Sequence, residues 1–169
     1  NGTVNLNEST LFSKSSGSYT NNGDFNLADG ETLIINSSAQ TFHQNGGTLD
    51  LLGTTSLFDL TSATFNFNGG TVSGTPRLVA SSLNIGASST GAATFSIRSS
   101  SNLSGNVAAG QTILVQGDGS FGSATLTAAS GFTNSGNITL QTVAGSTSQS
   151  NLIVNSGTLT NASGGVIDV

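Results

Sequence analysis

The sequence predicts an all-β fold: a right-handed parallel β-helix, or β-solenoid, of about 22 residues per turn and roughly seven turns. Three observations predict it. Aromatic residues recur at Tyr19, Phe42 and Phe65, each 23 positions after the last. The asparagines Asn22, Asn45 and Asn68, each followed by glycine, keep the same step. After many of the glycines, apolar and polar residues alternate, as in "TVNL", "DFNL", "TLDL" and "NITL".

Alternation with period two puts one side of a strand inward and the other outward. It places Val4 and Leu6, Phe25 and Leu27, Leu49 and Leu51, and Ile138 and Leu140 inside. "ATFSI" and "TILV" read as the same post-glycine strand with a shifted start. Further short strands are expected at "ETLII", "SLFDL", "RLV" and "NLIV", and at "GSYTN", "QTFHQ" and "ATFNF". Turns such as "LADG" and "GDGS" separate them. No segment carries an apolar helical period, and Ser, Thr, Asn and Gly are poor helix residues. The glycines Gly23, Gly47, Gly70, Gly91, Gly110, Gly136 and Gly157 read as one corner seen at successive heights, about 22 residues apart. A sandwich or jelly roll also uses short strands, but neither explains a constant phase of aromatic and Asn positions. The left-handed form needs a six-residue apolar beat that the sequence lacks. Residues 1–169 are therefore read as a single solenoid segment, part of a longer chain or a repeating subunit of a filament.

Composition narrows the function classes. Charged residues make up 7% of the chain, against about 25% in ordinary domains. Three basic and eight acidic residues leave a net charge of −5. So few cations cannot neutralise a run of phosphates, which argues against nucleic acid as a partner. No apolar run approaches the ~18 residues of a membrane span. With no cysteine, neither a disulfide framework nor a thiolate metal site is expected. No signal-peptide pattern is visible, and a chain opening on Asn1 is read as an excised or mature segment.

The strings "NNGDFNLADGETLIINSSAQTFHQNGGTLDLLG" and "NSGTLTNASGGVIDV" resemble the degenerate repeats of bacterial autotransporter passenger regions. They are also similar to filamentous-haemagglutinin-like surface repeat proteins. The resemblance runs over essentially the whole chain and rests on "N-S/G-G-x-L-x-L" phrasing. It implies a right-handed β-solenoid, secretion, and use as a stalk, fibre or adhesin. It brings no catalytic residues.

Stacked turns place equivalent side chains ~4.8 Å apart. Tyr19, Phe42 and Phe65 are thus expected as an interior aromatic ladder. Asn22, Asn45, Asn68, Asn134 and Asn155 are expected as a turn ladder before the glycines. His43 should point outward beside Phe42. Phe67 shares the phase of Phe65 and should be buried, whereas Gln44 one turn below should not.

No catalytic constellation, metal site or cofactor site is expected. Asp50 and Asp59 share a turn but lie on different strands, and Asp29 and Glu31 flank Gly30 as a solvated turn. Polysaccharide-cleaving chemistry would need clustered carboxylates. "GDGSFG", Gly117 to Gly122, reads either as a single calcium-type turn or as a loop insertion. The outward pairs after the glycines contain one Thr-x-Thr, too few for an ice-binding array. Six Asn-x-Ser/Thr sequons, at Asn1, Asn7, Asn36, Asn102, Asn137 and Asn161, read as surface turns. The ends, "NGTVNL" and "GGVIDV", are ordinary strand material with nothing to block pairing. The expectation is an extracellular or cell-surface structural protein that self-associates end to end. The alternative is an adhesin that binds glycan or a host surface through a polar Asn/Thr face.

Overall fold

The computed structural model describes residues 2–169. The chain is all β and winds as a solenoid of about 7 turns. The first turn holds β1 (Thr3–Leu6), β2 (Thr10–Leu11) and β3 (Gly17–Asn21); the second holds β4 (Asp24–Leu27), β5 (Thr32–Ile35) and β6 (Gln40–Gln44). The third holds β7 (Thr48–Leu51), β8 (Leu57–Thr61) and β9 (Thr64–Phe67); the fourth holds β10 (Thr71–Ser73), β11 (Arg77–Val79) and β12 (Ser82–Ile85). Then come β13 (Ala93–Arg98) and β14 (Ser100–Ser104), followed by β15 (Gln111–Gly117), β16 (Ala124–Ala128) and β17 (Thr133–Asn134). The last coils carry β18 (Asn137–Thr142), β19 (Ser150–Val154), β20 (Thr160–Asn161) and β21 (Val166–Asp168).

Each early turn gives one strand to each of three sheets. The first sheet is β1-β4-β7-β10, the second β2-β5-β8-β11-β13-β15-β18-β21, and the third β3-β6-β9-β12-β14-β16-β19. A short pair, β17-β20, completes the set. Pairing along the axis is parallel and in register, as in Tyr19↔Phe42 and Phe42↔Phe65. The first sheet stops at β10. From there Val72 donates to Ala92 O, and β13 runs on through the place where the fourth turn has its Gly74–Pro76 corner. "ATFSI" and "TILV" therefore belong to the second sheet, not to the post-glycine strand the sequence suggested.

The step between turns is not constant. In the third sheet Tyr19, Phe42 and Phe65 are stacked at the expected interval, but Ser82 lies over Thr64 after 18 residues. Thr125 lies over Ser100 after 25, and in the second sheet Val166 lies over Asn137 after 29. Corner loops absorb the difference, so a side chain keeps its column although the count changes.

This drift corrects the glycine series. Gly23, Gly47, Gly70 and Gly91 do stack; a Cβ on Gly47 would strike Gly23 O, and one on Gly91 would strike Gly70 O. Gly110 falls one residue out of line, because Ala93 pairs with Gln111. Gly157 sits over Gly131, and the residue above Gly136 is Gly165, since Asn137 pairs with Val166.

The core is an axial column of rings. Phe42, Phe58, Phe65, Phe67 and Phe95 are fully buried. Phe42 stacks on Phe65 with centroids 5.5 Å apart and meets Phe58 edge-on at 5.0 Å. Phe65 and Phe67 both meet Phe95 edge-on, at 5.3 and 5.7 Å. Such pairs add ~1 kcal/mol beyond burial. Tyr19 keeps its place below Phe42 in register, but its ring stacks on Phe12 at 4.7 Å instead. The mostly exposed first turn leaves Phe12 free to fold over it.

Gln44 is buried, against expectation. Its Oε1 accepts from Asn21 Nδ2 at 2.9 Å and its Nε2 donates to Gly46 O at 2.9 Å. Asn21 Nδ2 also donates to Thr48 O, 3.1 Å away. The inner column is Asn21–Gln44–Phe67–Ile85. Phe67 is therefore buried above a buried amide, and both are inward because the column is inward.

Phe65→Ala should lower unfolding free energy by about 3–5 kcal/mol, read from denaturant midpoints. Gly47→Ala should also destabilise, because φ at Gly47 is +63° and the added methyl meets backbone. Thr127→Ala, on the outer face of β16, should leave the midpoint nearly unchanged.

Candidate functional site

The asparagines expected as one ladder occupy three environments. Asn22, Asn45 and Asn68 are exposed at the corner after the third sheet, and Asn68 Nδ2 donates to Asn45 Oδ1 at 2.8 Å. Asn134 is not in their column. It is fully buried, with Nδ2 donating to Asn161 Oδ1 at 2.8 Å and to Val166 O at 3.0 Å. That repeats the Asn21 arrangement: one bond to the side chain above and one to the next strand's first carbonyl. Asn155 is exposed, one residue beyond the Ala128↔Val154 pair. It lines up with Ser104, two positions before the Asn68 column. Insertions in the later turns moved both residues out of phase.

The outer face of the third sheet carries a ladder that sequence reasoning did not assemble. In one column Ser104 Oγ donates to Asn84 Oδ1 at 2.7 Å, and Asn84 Nδ2 donates to Asn66 Oδ1 at 2.8 Å. Asn66 Nδ2 lies 3.1 Å from His43 Nδ1. Every amide here donates towards the N-terminal end. The hydrogen-bonded run stops at Ser104 and His43, although the column itself continues to Thr20 below His43 and to Ala129 and Asn155 beyond Ser104. Beside it runs a second outward column, Ser18–Thr41–Thr64–Ser82–Asn102–Thr127. His43 is half-buried on this face. The result is a neutral array of hydroxyls and amides two residues wide.

The second sheet bears the ion pairs. Arg77 Nη2 contacts Asp59 Oδ2 at 2.6 Å, and Arg77 Nε donates to Asp59 Oδ1 at 3.3 Å. The two residues are register partners in adjacent turns. Arg98 Nη1 lies 3.0 Å from Asp118 Oδ2 and donates to Gln116 O at 3.1 Å. Burial holds the Arg98 guanidinium below its ordinary range, and Asp118 opposes that shift. "GDGSFG" is a loop insertion: Asp118 and Gly122 exchange backbone bonds of 3.0 and 2.9 Å in a miniature hairpin. Asp118 Oδ1 accepts from the N–H groups of Ser120 and Phe121. The Phe121 ring lies 5.0 Å from the Arg77 guanidinium. One loop thus reaches both arginines of this sheet, in two different turns. The Asp118 carboxylate is committed to Arg98 and to its own turn, which corrects the calcium reading.

The corner between the second and third sheets is tight. Ser62, Ala80 and Ser99 stack there with φ of 54°, 49° and 54°, a left-handed conformation that is costly for residues other than glycine. Buried serines offset the cost: Ala63 N–H donates to Ser81 Oγ and Ser81 N–H to Ser101 Oγ, each at 3.1 Å. In so serine-rich a chain nothing marked these two out.

Asp29 and Glu31 turn away from each other. Asp29 Oδ1 accepts from Thr55 N–H at 3.0 Å and from Thr55 Oγ1 at 2.8 Å, one turn up. Glu31 Oε2 accepts from Ser9 Oγ at 2.8 Å, one turn down. The Thr55 bonds hold the Asp29 carboxyl below its usual range. Asp50 lies on the first sheet, away from Asp59. Among the described residues no three His, Asp or Glu side chains gather where they could hold a metal ion. Among the described residues no helix is long and apolar enough to cross a membrane. Asn7 and Asn36 are exposed in loops, but Asn102, Asn137 and Asn161 are exposed within strands, so these three sequons are not turns. The Asn1 sequon lies outside the described residues. Comparisons with protein-family models, with curated proteins and with solved structures returned no match.

The ladder polarity requires His43 Nδ1 to accept, so the neutral ring should carry its proton on Nε2. Nitrogen-15 spectra of this single histidine should show an unprotonated Nδ1 when neutral; a protonated Nδ1 would reverse every amide in the column. Asp29 yields an acid-limb prediction. Its lowered folded value means its contribution is full above the ordinary carboxylate range and is lost as pH falls through the lowered value. Asp29→Asn should therefore remove a small part of the acid dependence of the unfolding midpoint.

Proposed function

We propose that the chain is an extracellular structural protein, with its solenoid turns forming part of a stalk, fibre or matrix filament that extends by end-to-end stacking. The observation that carries this reading is the state of the two end turns. At one end β1, β2 and β3 are edge strands, and at the other β19, β20 and β21 are. Interior residues stay open there: Val4 is 43% exposed, and Phe12, Tyr19, Leu159 and Ile167 are only partly covered. Open parallel edges with an apolar interior recruit further strands. The strands they take could come from more of the same chain or from another copy. The autotransporter-like phrasing agrees with this reading.

A second reading, an adhesin that binds neutral glycan or a cell surface, draws on the hydroxyl and amide array of the third sheet. It predicts binding on a glycan array that is lost when Thr41, Thr64 and Asn102 are changed together to Val. Stacking predicts something different: sedimentation that grows with concentration and rods of varied length in electron micrographs. A monodisperse monomer at all concentrations would count against stacking.

A further inference from the structure

We propose that Asn45 is a deamidation site, the one among the described Asn-Gly corners that the fold activates. Three such corners stack on one another: Asn22-Gly23, Asn45-Gly46 and Asn68-Gly69, all with exposed asparagines. The reaction needs no partner but water. The glycine backbone nitrogen attacks the asparagine Cγ, ammonia leaves, and a five-membered succinimide forms. Water then opens the ring to aspartate or to isoaspartate. Glycine favours the attack because it has no Cβ to crowd it, and asparagine is a thermolabile residue in general.

The attack requires a free glycine N–H, and here the three corners part company. Gly23 N–H donates to Asn21 Oδ1 at 3.1 Å. Gly69 N–H donates to Gln44 O at 3.1 Å. Gly46 N–H has no hydrogen-bond partner among the described residues. A hydrogen-bonded nitrogen must lose its bond before it can attack, so Gly23 and Gly69 are held back.

The electrophile differs as well. Asn45 Oδ1 accepts the 2.8 Å bond from Asn68 Nδ2. That bond draws electron density from the Asn45 Cγ and helps the attack. Asn68 uses its amide as the donor and has its nitrogen, the leaving group, tied up. The space around Gly46 is open, with the nearest atom to a notional Cβ being Asn22 O at 3.7 Å. Conversion to aspartate would keep the Asn68 bond. Conversion to isoaspartate would add a backbone carbon at the corner between β6 and β7, where register with the turns above and below is set.

The test is peptide mapping by mass spectrometry after incubating the intact protein at mildly alkaline pH in heavy-oxygen water. The expected result is amide-to-acid conversion at Asn45 several-fold faster than at Asn22 or Asn68, with label incorporated. In denaturant the three sites should convert at comparable rates, which isolates the contribution of the fold. Equal rates in the folded protein, or faster conversion at Asn22 or Asn68, would overturn the proposal.

Discussion

The parallel backbone ladder between turns governs the structure. Once a strand is laid in register ~4.8 Å above its predecessor, each outward side chain meets chiefly the residue one turn away, and each inward one meets that residue and the facing sheets across the core. Phe42 therefore meets Phe65, Asn45 meets Asn68, and Asn66 meets His43. The same constraint explains the scarcity of charge. Like charges facing each other across paired strands are destabilising. The first sheet sets Asp50 against Asn26 and Ser73, and the second sets Asp59 against Arg77. Hydroxyls and amides carry no such penalty, since each can donate one way and accept the other.

The early turns were legible because their length is constant. Three copies at one interval placed Phe42, Phe65, Asn45 and Asn68 without error. The later asparagines were not legible, because a residue's column depends on the loops between strands. A loop two residues longer carries Asn155 from one column to another while its "NSG" phrasing stays intact. Burial at corners was hidden for a different reason. Gln44 is polar and reads as outward, yet its amide and that of Asn21 close the corner by replacing bonds that water would make, and an amide so satisfied can sit inside. Ser81 and Ser101 do the same at the opposite corner.

The faces have divided roles. The third sheet presents a neutral surface, chiefly hydroxyls and amides, with His43 as its outward titratable side chain and the exposed Ile153 at its C-terminal end. The second sheet gathers Arg77, Arg98, Asp59 and Asp118 beside outward apolar residues such as Leu11, which is 54% exposed. A partner meeting the first of these surfaces would find hydrogen bonds and no field. A partner meeting the second would find paired charges already spent on each other.

The small hairpin at Gly117–Gly122 also bears on how the coil comes apart. Solenoids lose turns from their ends, because a terminal turn has a neighbour on one side only. Peeling from the C-terminal end would remove β21, β20 and β19 one rung at a time. At β15 that process meets a turn whose loop grips Arg98 one turn down and Arg77 two turns down. Detaching it means breaking contacts in three rungs at once. The hairpin thus ties three rungs together, and unzipping past β15 costs more than the loss of a single rung.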